Sequence, residues 1–90
     1  MSAPHPRTHT AIVLVHGSWH GAWCWHRVLP LLRQAGVDSH AVTLTGVGER
    51  AHLISPAVGI ETHVQDIIGL IEAEELQRVV LVGHSYAGNL

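Results

Sequence analysis

Apolar residues gather along this chain in two rhythms. Three short runs have the continuous or nearly continuous character of strands: Thr10-Ala11-Ile12-Val13-Leu14-Val15, the partly polar Val37 to Leu44, and Val79-Val80-Leu81-Val82. The first and third are rich in β-branched residues and read as strands buried on both faces, the second as a strand nearer a sheet edge. Between them the spacing changes to that of helices. Trp25, Val28, Leu29 and Leu32 recur at i, i+3, i+4 and i+7, predicting a helix over Trp23 to Ala35, capped by Gly36. Pro30 cannot donate to the carbonyl of His26, so a kink or a short separate first turn is expected there. Val64, Ile67, Ile68 and Ile71 predict a second helix that starts near Thr62, whose hydroxyl can cap it while Gln65 reaches back. Gly69 weakens that helix by about 1 kcal/mol relative to Ala. Glu72, Glu74 and Glu75 stand badly against a helix C-terminus and predict its end. Strand, helix, strand, helix, strand and the start of a third helix is the order of a doubly wound α/β fold with parallel strands.

Composition narrows the class. The chain has 90 residues, 47% of them hydrophobic and 13% charged, which suits one packed domain and excludes disorder. Net charge is −2, there is no lysine, and the five arginines are scattered, so no nucleic-acid surface is expected. No run is long enough to cross a membrane, and residues 1–9 read as a flexible polar leader without the apolar core of a signal peptide, ahead of a domain portion over 10–90. The single cysteine, Cys24, fits a reducing compartment, and a cytoplasmic location follows by default. Nine histidines are many, but none stands with cysteine or carboxylate at a metal-binding spacing. His16 and His20 are separated by glycines that indicate a loop. Most histidines therefore read as surface or turn residues, and no metal is expected.

The candidate chemistry lies where the third strand ends. Gly83-His84-Ser85-Tyr86-Ala87 has the Gly-x-Ser-x-Ala form of a strand that turns sharply over a serine, with Ala87 in the place usually held by a second glycine and Gly88 one residue late. Such a nucleophile elbow lifts the hydroxyl above the sheet and aims the next N–H at the same space. Taken alone, these residues equally suit a strand followed by a plain Gly-rich turn. An oxyanion hole needs two N–H donors on one spot. The backbone N–H of Tyr86 supplies one, and the loop His16-Gly17-Ser18 after the first strand offers the N–H of Ser18. Both loops leave the C-terminal ends of parallel strands, where open α/β sheets bind ligands. A competing motif, Gly46-Val47-Gly48-Glu49-Arg50-Ala51, matches the dinucleotide fingerprint. Ser55-Pro56 interrupts any helix behind it, and Asp66 falls inside a helix rather than at a strand end, so no cofactor is expected.

Taken together and in order, His16-Gly17-Ser18-Trp19-His20-Gly21-Ala22-Trp23-Cys24-Trp25, Leu44-Thr45-Gly46-Val47-Gly48-Glu49-Arg50-Ala51-His52-Leu53, Thr62-His63-Val64-Gln65-Asp66 and the serine turn resemble the α/β-hydrolase superfamily. The likeness is greatest to the plant methylesterase and hydroxynitrile lyase group and its bacterial carboxylesterase relatives. It implies a truncated α/β-hydrolase sheet, Ser85 as nucleophile, and Tyr86 and Ser18 N–H groups as the oxyanion hole. Lyase members usually carry threonine at the position of Gly17, so the glycine favours ester hydrolysis over cyanohydrin cleavage. The implied reaction is acyl transfer from a small-molecule ester through Ser85. Trp19, Trp23 and Trp25 could line its pocket, although tryptophans beside a core helix more often pack. In this fold the triad acid and histidine follow the serine, and residues 86–90 contain neither. Two expectations therefore stand: the N-terminal part of a serine esterase, or a non-catalytic remnant that self-associates or binds a partner through an unpaired sheet edge. A dinucleotide-binding module is a distant third.

Overall fold

The computed structural model describes residues 7–90; the first six residues of the expected leader lie outside them. Its strands are β1 (Arg7–Val15), β2 (Asp38–Val42) and β3 (Leu76–Gly83), and its α-helices are α1 (Leu29–Gln34) and α2 (Ile60–Ala73). The three strands form one parallel sheet in the order β2-β1-β3. β1 starts at Arg7 rather than Thr10, pairing there with Leu76 across a register shift.

The order places a topological switch at β1. The chain leaves β1 for β2 on one side, then crosses to β3 on the other. Right-handed crossovers in opposite directions put their helices on opposite faces of the sheet. Val15 is in register with both Val42 and Gly83. The loops that follow all three strands therefore emerge at one level on one edge of the sheet.

Burial follows this order. Central β1 supplies Ala11, Val13, Leu14 and Val15, all nearly inaccessible to solvent, and the odd-numbered members join Val42, Leu44, Ile67 and Leu76 in one apolar cluster. The expectation that Val79–Val82 is buried on both faces is not met: Val80, Leu81 and Val82 are exposed. Among the described residues β3 pairs on one side only, and α2 covers only part of its surface.

The helices differ from the expected ones in detail. Pro30 divides the Trp23–Ala35 pattern into a 3₁₀ turn over Ala22–Trp25 and the short α1, where Pro30 occupies the first turn and needs no donor. Val28 is consequently exposed, whereas Leu29 and Leu32 are half-buried. Gly36 (φ +80°) ends α1 as expected, with the N–H of Gly36 bonded to Arg33 O and that of Val37 to Leu32 O. α2 begins at Ile60, not Thr62, because extended Gly59 forms its N-cap. Thr62 sits one turn in and accepts the Gly59 N–H at 3.2 Å. Its inner face carries Ile67, Leu70 and Ile71, and Ile68 turns outward. Ala73 is its last residue, where the glutamates predicted an end. After β3 the chain makes a 3₁₀ turn over Ser85–Asn89 in place of the start of a third α-helix. Among the described residues, no helix is long and apolar enough to cross a membrane.

Candidate active site

β3 delivers the serine. Its last ladder bond runs from the His84 N–H to Val15 O (3.1 Å), and the next residue, Ser85, has φ +58°. A non-glycine residue in the left-handed region is strained and persists only where its surroundings impose it. Here the turn folds back so tightly that a Cβ on Gly83 would lie 2.9 Å from the carbonyl carbon and oxygen of Ala87. Ala87 is itself buried in the core, while Ser85 is exposed at the top of the turn.

The loop after β1 lies directly beside it. A Cβ on Gly17 would stand 3.2 Å from Ser85 Cβ and 2.8 Å from His84 Nδ1. His16 anchors this loop and is only 1% exposed, against the expectation of a surface or turn histidine. Its Nε2 accepts the Leu44 N–H (3.0 Å), which leaves the proton on Nδ1 to donate to Gly17 O (2.7 Å). One imidazole thus joins the loop of β1 to the end of β2.

The loop after β2 is held by two further networks. The Thr43 hydroxyl accepts the Ala22 N–H (2.8 Å) and donates to Glu49 (2.7 Å). That hydrogen bond, more than the backbone bond or the nearby Arg50, holds the Glu49 carboxyl below its ordinary value. Asp66 on α2 accepts both the N–H and the hydroxyl of Thr45, each at 2.7 Å, with Arg50 at 3.4 Å. One turn earlier, His63 donates from Nε2 to Thr45 O (3.0 Å), so its Nδ1 is free to accept the Tyr86 hydroxyl (2.9 Å). Gly46-Val47-Gly48-Glu49-Arg50-Ala51 is not a phosphate cradle: Gly48 opens a 3₁₀ turn, and the Gly46 N–H is spent on Arg50 O.

These pieces enclose a cavity of about 510 Å³. Gly17, Ser18 and Tyr86 line one side of it, and Leu44, Val47, Ala51 and Ile54 make the rest largely apolar, with His16 and His63 as the imidazoles in its wall. Ser85 adjoins this wall through Gly17 but does not itself line the cavity. The three residues singled out in the sequence, Ser85, Ser18 and Tyr86, thus come together on one edge of the sheet. Of the tryptophans only Trp19 reaches the cavity, itself 89% exposed; Trp23 instead packs edge-on against His20. Burial pushes the Cys24 thiol up, which disfavours the thiolate a cysteine nucleophile needs.

The profile of the Alpha/beta hydrolase family matches residues 12–90. The chain belongs to the alpha/beta hydrolase family. Within this family it is 57% identical over 76 residues to the carbendazim hydrolyzing esterase of Nocardioides sp. (strain SG-4G), covering 84% of this chain and 31% of that protein. It is 42% identical to methylesterase 8 of Arabidopsis thaliana, with 84% of this chain and 28% of the relative covered. It is 36% identical to norfluorocurarine synthase 1 of Strychnos sp, with 84% and 29% covered. The chain therefore spans about a third or less of the length of these relatives. No solved structure matches.

The sequence assigns no individual role to His16, His63 or Asp66 in this candidate site, although His16 opens the His16-Gly17-Ser18 loop and His63 and Asp66 lie in the Thr62–Asp66 stretch that carries the resemblance. A usable signal was present for two of them: His63 and Asp66 are three apart on an amphipathic helix and share one face.

Proposed function

We propose that this chain carries the nucleophile and oxyanion donors of a serine ester hydrolase. The observation that carries the reading is the strained backbone of Ser85 (φ +58°) at the C-terminal edge of the sheet, with the Gly17 loop packed against it. This is the geometry a nucleophile elbow requires.

In this reaction Ser85 Oγ attacks the ester carbonyl carbon, and the carbonyl oxygen becomes an oxyanion held by the N–H groups of Tyr86 and Ser18. Collapse expels the alcohol and leaves an acyl group on Ser85. Water then attacks the acyl carbon, releases the acid and restores the hydroxyl. The base that removes the Ser85 proton has no candidate among residues 86–90. Since most of the length of the relatives lies outside the matched region, the reading assigns the base and its acid to chain outside these 90 residues. The apolar cavity suits an uncharged small ester. The crowding around Gly17 supports ester hydrolysis over cyanohydrin cleavage, because the threonine expected of a lyase would need room that this packing does not leave.

The test is hydrolysis of p-nitrophenyl acetate by the full natural protein, whose intact mass is measured first, and by its Ser85→Ala variant. A loss of about 10⁴-fold or more in kcat is expected. Activity near the parent level in Ser85→Ala overturns the assignment.

A second reading rests on exposed Val80, Leu81 and Val82. A 90-residue product that is complete in the cell would self-associate through β3 without turnover. Sedimentation of the isolated chain as a monomer at tens of micromolar would sink it.

A further inference from the structure

We propose that the hydrogen bond from Tyr86 to His63 positions the oxyanion-hole amide of Tyr86, making His63 a positioning residue for ester hydrolysis. This inference rests on the esterase reading given above.

Tyr86 is the first residue after strained Ser85, and its N–H is the amide that must point at the developing oxyanion. The turn that carries it is a poor support. It is a single 3₁₀ stretch over Ser85–Asn89, closed by the bonds from Ala87 N–H to His84 O (3.2 Å) and from Leu90 N–H to Ala87 O (3.1 Å). Such turns are intrinsically weaker than α-helix. Strain at Ser85 also favours relaxation of the same peptide. The orientation of the amide must therefore be imposed from outside the turn, and the Tyr86 side chain provides the connection.

The ring of Tyr86 packs against the apolar core and meets His63 edge to face, with centroids 5.6 Å apart at 84°. Its hydroxyl donates to His63 Nδ1 at 2.9 Å. His63 cannot swing to follow a moving tyrosine, because its Nε2–H is committed to Thr45 O at 3.0 Å. Thr45 cannot move either: its N–H and hydroxyl are both taken by Asp66, one turn further along α2. Helix α2 thus grips every polar group of Thr45 and, through His63, reaches the ring attached to the catalytic amide. The path is continuous, with each donor matched to one acceptor. It also fixes the imidazole as the Nε2–H tautomer, since only that form can donate to a carbonyl while accepting from the tyrosine.

Tyr86→Phe keeps the ring and its packing and removes only the hydroxyl. In the full natural protein it is expected to lower kcat about ten- to a hundredfold with little change in KM, the cost of a misaimed oxyanion donor. Affinity for a trifluoromethyl ketone, which forms a tetrahedral adduct on the serine, should fall in proportion. His63→Leu should behave alike, and His63→Gln, which keeps one donor and one acceptor, should recover most of the loss. A second readout needs no turnover: in nitrogen NMR of the full natural protein, His63 should show protonated Nε2 and bare Nδ1, and Tyr86→Phe should shift the amide at position 86. Unchanged kcat in Tyr86→Phe overturns the proposal, as does a rise confined to KM, which would make the hydroxyl a substrate contact. Absence of activity in the parent protein, or retained activity in Ser85→Ala, instead defeats the esterase reading, and the NMR result then decides the positioning on its own.

Discussion

Gly17 and Ser85, sixty-eight positions apart in the chain, are so close that one added methyl group on the glycine would sit 3.2 Å from the serine Cβ. The same methyl would meet His84 Nδ1 at 2.8 Å and His84 O at 3.2 Å. The ring could turn aside, but the carbonyl and the strained serine cannot. Gly17→Ala is therefore expected to cost about 1–3 kcal/mol through overpacking. On the proposed esterase reading, displacing Ser85 should also lower kcat/KM at least roughly tenfold. Denaturation midpoints and initial rates measured together check this, and parental values for both would show that the loops have slack.

The two glycines flanking the serine turn should respond differently. A methyl on Gly83 meets the Ala87 backbone at 2.9 Å, whereas one on Gly88 meets nothing within 4 Å. Gly83→Ala is expected to destabilise by about 1–3 kcal/mol, and Gly88→Ala to stay within about 0.5 kcal/mol of the parent. Equal effects in urea titrations would contradict the geometry.

Asp66 has a side chain only 10% exposed and accepts two bonds from Thr45. Its loss leaves both donors unpaired in a partly buried place. Asp66→Ala should cost about 1.5–3 kcal/mol, the range for hydrogen bonds to a charged group. Thr45→Val, which keeps the backbone bond, should cost roughly half as much. Both are read from urea denaturation.

Glu49 gives a pH dependence of definite sign. Its carboxyl titrates below the ordinary 4.5 in the folded chain, chiefly because the Thr43 hydroxyl donates to the carboxylate. The contribution to stability is then complete above pH 4.5 and is lost as pH falls below 4.5 through the folded value, because the unfolded chain takes up the proton first. The carboxylate is exposed, so solvent screening keeps the effect small. Glu49→Gln or Thr43→Val should flatten the stability profile below pH 4.5 relative to the parent. A parallel profile in both variants would show that the bond does not favour the ionised form.

The sequence carried the architecture because that information is local. Continuous β-branched runs, the i, i+3, i+4 spacings, Pro30 and Gly36 determined three parallel strands, two helices and their approximate limits. The Gly-x-Ser-x-Ala turn and the His-Gly-Ser loop marked the two loops that pack together at the candidate site, since steric demands at a sharp turn leave their mark on the neighbouring residue types. Tertiary structure decided what depends on partners distant in the chain. His16 looks like a turn residue until Leu44, twenty-eight positions away, gives its Nε2 a donor. His63 is one histidine among nine until Thr45 and Tyr86 occupy its two nitrogens. The Val79–Val82 run reads as fully buried, yet hydrophobicity records only a preference for burial, and whether a strand is covered depends on which neighbours pair with it. Side-chain polarity was legible from the sequence alone; the partner that satisfies each polar atom was set by the sheet order β2-β1-β3 and its register, which bring three separate loops to one edge.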